Sequence, residues 1–198
     1  MNGIEFGPIK PSLKNAKAVQ RLTLQDVVLG GFPNPDALAN PHNPQLVSRQ
    51  YKKLRHAPDN YFGVYAKDGL VGYLKTAEWT IADELPFAKE QEREWLTEMQ
   101  EATGATTIDP NYELGIFGLV VSDRLAAGTQ KDIAERFLDV AVDRGIHLGM
   151  TAVNAVFHDN DPVWLLAREH GWQFTGRTGE ASGAPGITQR LYKKYLDS

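Results

Sequence analysis

One run of residues limits the fold more than any other. Glu113-Leu114-Gly115-Ile116-Phe117-Gly118-Leu119-Val120-Val121 is almost unbroken in its apolarity. A strand that is apolar at successive positions has both faces covered, and such strands belong to sheets flanked by helices. The residues after it agree. Ile133, Ala134, Phe137, Leu138 and Ala141 recur at helical spacing, and Arg144-Gly145 reads as the stop. Thr151 to Phe157 then alternates, with Val153, Ala155 and Phe157 on one face and Asn154, Val156 and His158 on the other. Strand, helix and strand in this order predict an α/β fold with a mixed central sheet and helices on both faces.

The first half of the chain adds shorter elements. Ile4 to Ile9 reads as a strand closed by Pro8 and Pro11, and Asn15 to Leu29 as a helix ended by Gly30-Gly31. Four prolines between Pro33 and Pro44 oppose regular structure, and Gln45 to His56 reads as a second, basic helix. Tyr61 to Lys75 reads as a hairpin, with Asp68-Gly69 suited to a type I′ turn. Pro86 to Thr103 is expected to be helical, with Phe87, Trp95, Leu96 and Met99 as its apolar side. It lies in a helical insertion around residues 80–110 of a single domain spanning 1–198. Ile187 to Tyr192 is expected to close the sheet.

Composition removes several function classes. The 198 residues carry a formal charge of -4, which argues against nonspecific nucleic-acid binding. No apolar run is long enough for a membrane span, and Met1 to Phe6 lacks the features of a signal peptide, so a cytoplasmic protein is expected. Without cysteine there is no disulfide, thiolate zinc site or Cys nucleophile. The five histidines are scattered, so no metal site is expected.

The stretch from Glu113 to Tyr192 resembles the acyl-CoA core of the GNAT superfamily of N-acetyltransferases. That family carries Gln/Arg-x-x-Gly-x-Gly/Ala after its fourth strand, with two apolar residues soon following. Setting those two on Phe137-Leu138 places Thr129-Gln130-Lys131-Asp132-Ile133-Ala134 on the motif. Ala134 fits, whereas Thr129 replaces Gln/Arg and Asp132 replaces the first Gly. Arg124 and Gly128 offer an alternative register. Thr129-x-x-Asp132 also reads as a capping-box start that needs no ligand. The family then has Asn, Ala at +3, Leu at +6, Tyr at +7, Gly at +11 and an aromatic at +12. Asn160, Leu166, Gly171 and Trp172 match, Val163 stands at +3, and Ala167 replaces the Tyr. Asn160 equally reads as a helix N-cap.

The resemblance implies acetyl-CoA as co-substrate and acyl transfer to an amine by direct attack. The backbone of Leu119, Val120 and Val121 would polarise the thioester carbonyl and pair with the pantetheine, and Gln130 to Ala134 would hold the diphosphate. Glu113 is the first candidate base and His158 the second. The Tyr that protonates the departing thiolate in many family members is missing at Ala167. The Pro33 to Pro44 loop, with Asn34, Asp36 and His42, lies where such enzymes shape the acceptor pocket. Asp83 to Glu101 holds seven acidic residues, which either favour a cationic small-molecule or peptide amine or form a solvated face. Trp79 and Trp95 would mark a homodimer face if exposed, with core packing as the competing reading. The rival to the enzyme is a non-catalytic GNAT-fold protein that binds a small molecule or a protein partner.

Overall fold

The structure is a computed structural model, and it describes residues 3–29, 43–103, 113–158, 163–180 and 188–196. In chain order it contains β1 (Glu5–Pro8), α1 (Leu13–Leu29), α2 (Pro44–His56), β2 (Tyr61–Ala66), β3 (Gly69–Glu78), α3 (Glu90–Thr103), β4 (Glu113–Val121), α4 (Ala127–His147), β5 (Ala152–His158), α5 (Val163–Glu169), β6 (Gln173–Glu180) and β7 (Thr188–Tyr195). A one-turn helix, Ile81–Glu84, precedes α3. The strands hydrogen-bond in the order β1-β2-β3-β4-β5-β7-β6, with β4 and β5 parallel. The mixed α/β sheet inferred from the sequence is therefore present. Among the described residues, no helix is long and apolar enough to cross a membrane.

The chain forms two compact units. The first comprises Met1–Thr76 and Phe117–Leu138, the second Ala77–Ile116 and Asp139–Ser198. In the first, Ile9, Ala16, Val19, Leu22, Val47, Leu54, Tyr73 and Val120 form one buried cluster, which seats α1 and α2 on the sheet. The other face is closed by Phe137 of α4. Its ring lies edge-on to Phe6 at 6.1 Å and fills the space above Gly72, where a Cβ would sit 3.4 Å from it. The two helix layers follow from strand alternation, since Gly72 and Tyr73 point to opposite faces. In the second unit Trp79, Phe87 and Leu191 pack together, with Ala88 and Leu96 nearby in sequence forming a separate small cluster.

Several local expectations change. The hairpin is present, but its turn is not type I′. No described non-glycine residue has a positive φ, so the left-handed conformation is carried by Gly69 alone (φ 117°). One strand of this hairpin also bulges: Tyr65 pairs with Leu70 and Val64 with Gly72, which leaves Val71 as the extra residue. Helix α4 does not stop at Gly145. It runs on to His147 and ends at Gly149 (φ 67°). Met150 N donates to Gly145 O at 2.9 Å and Gly149 N to Ile146 O at 3.0 Å, which is the Schellman arrangement. Gly145 is a glycine for packing, because a Cβ there would lie 2.7 Å from Leu196 Cδ1 and 3.0 Å from Val153 Cγ2. Strand β4 is buried through Ile116, but Phe117 is 38% exposed, so its second half is not covered on both faces. Trp79 is buried, whereas Trp95 is exposed and lies off the apolar side of α3.

Candidate active site

The first unit contains the strand-to-helix junction. Strand β4 is anchored where it ends: Ser122 N donates to the bulged Val71 O at 2.8 Å. The loop then folds on itself. Leu125 N donates to Ser122 O at 3.3 Å, and Arg124 N to Ser122 Oγ at 3.4 Å. The side chain of Gln130 reaches back and donates to Leu125 O at 2.6 Å and Asp123 O at 3.5 Å. This junction is therefore braced by the chain's own hydrogen bonds. Helix α4 starts at Ala127, so Thr129 and Asp132 are not its cap and no capping box forms. The first helical bond is Gln130 N to Ala126 O at 2.9 Å.

That start decides which amides can meet an anion. From Gln130 onward the N–H groups are bonded along the helix, whereas those of Ala126, Ala127, Gly128 and Thr129 have no partner one turn back. Alanine at the cap position supplies no side-chain oxygen of its own. Ala126, Ala127 and Gly128 are exposed and Thr129 is half-buried. Lys131 and Asp132 are exposed, with Lys131 3.6 Å from Glu135. Ile133 and Ala134 are buried and face the core. The amides without a helical partner thus lie before Gln130, closer in sequence to Arg124 and Gly128 than to Ala134. Leu119, Val120 and Val121 lie on β4 beyond Ile116, the last residue it pairs with β5.

The second unit contains the carboxylate. Glu113, Asn154 and Lys193 sit on β4, β5 and β7. Asn154 pairs directly with Lys193, and Gly115, two residues on from Glu113, pairs with Asn154. This register puts all three side chains on one face. Lys193 Nζ donates to both oxygens of Glu113, at 2.8 and 3.0 Å, and Asn154 Nδ2 donates to Oε2 at 2.6 Å. Glu113 is 9% exposed and Asn154 0%. An ionised carboxylate offers about four acceptor positions, and three are taken here. Through these bonds Glu113 ties together β4, β5 and β7. His158 is half-buried at the end of β5, opposite Gln189.

The acidic segment has a structural duty that was not legible beforehand. Glu84, 6% exposed, accepts from Trp79 Nε1 at 2.6 Å and from Arg177. Arg177 also donates to Glu92 at 2.7 Å. An irregularity in β6 between Phe174 and Thr178 accompanies this clamp, and Gly176 within it has φ 79°. Two of the acidic residues in Asp83 to Glu101 thus share the single guanidinium of Arg177. Strand β6 itself was missed, because Gln173–Glu180 has no apolar alternation. Lys193 was missed because the closing strand runs three residues past Tyr192, to Tyr195.

On α5, Ala167 is completely buried and Leu166 only half-buried, and Trp172, just after the helix, is nearly buried. Gly171 (φ 76°) ends the helix, with Trp172 N donating to Ala167 O at 2.9 Å. Asn160, Asn34, Asp36 and His42 lie outside the described residues.

No protein-family model matches the sequence, and no curated protein matches it either. Solved structures do. The Salmonella typhimurium protein yncA, assigned as an acetyltransferase and solved with its cofactor acetyl-CoA, superposes with a TM-score of 0.63 at 11% identity, over 100% of this chain and 96% of that one. An N-acetyltransferase from Staphylococcus aureus Mu50 gives 0.62 at 11% identity, over 99% of this chain and 100% of that one. An acetyltransferase from Desulfovibrio desulfuricans, assigned to the GNAT family, gives 0.58 at 14% identity, over 98% and 99%.

Proposed function

For a chain with the GNAT acetyltransferase fold over its whole length, we propose the activity of an N-acyltransferase that takes an acetyl group from acetyl-CoA to an amine. The observation that carries this reading is the braced turn at the start of α4, whose cap position is Ala126 and whose exposed amides are free of helical bonds. Acetyl-CoA supplies the acyl group as a thioester. The amides of Ala126 to Thr129, helped by the helix dipole, receive the diphosphate. Arg124, exposed in the same loop, adds a positive charge. The backbone of Leu119, Val120 and Val121 orients the thioester arm. Gln130 contributes by holding the loop carbonyls, and Ala134 by packing α4 against the core.

Glu113 is read as support for the strands, so the amine loses its proton to solvent. Assay of CoA release over a panel of amines tests the activity. Acetylated product from at least one amine is expected, and none from any class would remove the reading. A second reading is favoured by Glu113 locked to Lys193 and by Ala167 buried where many relatives place a proton-donating Tyr. In that reading the chain binds a small molecule or a protein without turnover. Acetyl-CoA binding with no product from any amine would select it.

A further inference from the structure

Charge is divided unevenly between the two units. Residues 1–76 carry ten Lys/Arg against five Asp/Glu, and 117–138 carry three against three, so the first unit nets +5. The total of -4 leaves -9 on the second. The positive excess is displayed on two packed helices. On α1, Lys14, Lys17 and Arg21 follow helical spacing and point away from buried Ala16, Val19 and Leu22. On α2, Arg49, Lys52 and Lys53 lie opposite buried Val47 and Leu54, and helix α2 contains no acidic residue. All six cations are exposed, and among the described residues none of them forms an ion pair with a carboxylate. Charged surfaces usually interleave both signs, and among the described side chains of α1 and α2 there is no carboxylate.

We propose that the α1/α2 face docks an acidic polypeptide, and that this polypeptide is the amine acceptor. The inference rests on the acetyltransferase reading for its second half only. A short acidic segment meets the local cations, within a Debye length of about 8 Å. A nucleic acid extending further meets a chain whose net charge is -4. The acceptor preference therefore has the opposite sign to the one the Asp83 to Glu101 segment suggests. In the transfer, the peptide nitrogen bonds to the acyl carbon as the carbon–sulfur bond breaks, and the proton lost by the amine ends on the thiol.

The test is fluorescence anisotropy with a short labelled Glu/Ala peptide bearing a free amine, its Lys/Ala counterpart and a single-stranded RNA of matched length. The protein is compared with its Lys52→Glu/Lys53→Glu variant and with Lys89→Glu as a control. The proposal expects the acidic peptide to bind best, with salt-sensitive affinity. The double variant should lose about tenfold and the control nothing. Preferred binding of the RNA, lost in the same variant, would overturn it, as would equal binding of the two peptides. Acetyl-CoA titration of the same proteins separates the two claims. Peptide binding without acetyl-CoA binding would remove the transferase reading and leave the docking face standing. The acidic peptide acetylated no faster than its basic counterpart would remove the acceptor role.

Discussion

The polar groups of the two units are arranged in opposite ways. In the second unit, Glu113, Asn154 and Lys193 form a buried set, and Glu84 is shared between Trp79 and Arg177. In the first, the start of α4 leaves its amides facing outward, and the cations of α1 and α2 have no carboxylate partners among the described residues. A buried charge that is paired with a counter-charge holds strands in register. A polar group left open at the surface can meet a ligand. Glu113, the residue chemistry picks out in the sequence, is of the first kind, and the start of α4, whose residue identities are bland, is of the second.

The largest expected effect comes from breaking the buried clamp. Arg177→Met strands Glu84 with one neutral donor, and removing one partner of a buried pair costs about 3 kcal/mol once the exposure of Arg177 is allowed for. Urea unfolding measures this, and a loss below the scatter of ordinary surface variants would mean that the clamp is ornamental. Next comes Glu113→Gln, which keeps the shape but leaves Lys193 without a counter-charge, at a cost of about 2 kcal/mol. Thermal unfolding should show this loss while acetyl-CoA affinity stays unchanged. A stable variant with a greatly slowed transfer step would return Glu113 to the role of base.

The sharper test of the open region is Ala127→Pro. Proline is accepted at the first helical position and removes one amide donor. Acetyl-CoA affinity should fall about tenfold with the melting temperature unchanged. Unaltered affinity would mean that the diphosphate lies elsewhere. Ala134→Trp, by contrast, would overpack a core position and report on folding. The smallest effect concerns Tyr61. Burial pushes its phenol above the usual 10.0, with a hydrogen bond to Gln50 acting the other way. The folded state keeps this proton longer than the unfolded one. Its contribution to stability is thus complete below pH 10 and is lost as the pH rises through the raised value. Tyr61→Phe should flatten that alkaline limb of a denaturation-against-pH curve, and an unchanged limb would exclude Tyr61 as its source.

These differences also explain what could be read from the residues alone. Strand β4, helix α4 and strand β5 were legible because burial on regular spacing leaves a periodic trace. Strand β6 was not, because Gln173–Glu180 is an edge strand whose residues answer to the clamp on Glu84 and Glu92. Glu113 was legible as a carboxylate at a strand start, but its partner Lys193 was not, since strand order is a property of topology and not of local sequence. The start of α4 was placed too late for a similar reason. Thr129 and Asp132 satisfy a capping pattern, while the bracing of the earlier start comes from Gln130, whose side chain reaches back to Leu125 O and Asp123 O, a contact that no local rule describes.

Acetyl-CoA binding through the open turn at the start of α4 is the central property proposed for this chain. Calorimetric titration of the purified protein with acetyl-CoA, with CoA as control, tests this in one experiment. Saturable binding with a micromolar dissociation constant, about -8 kcal/mol, is the predicted result. No heat of binding up to millimolar ligand would contradict it.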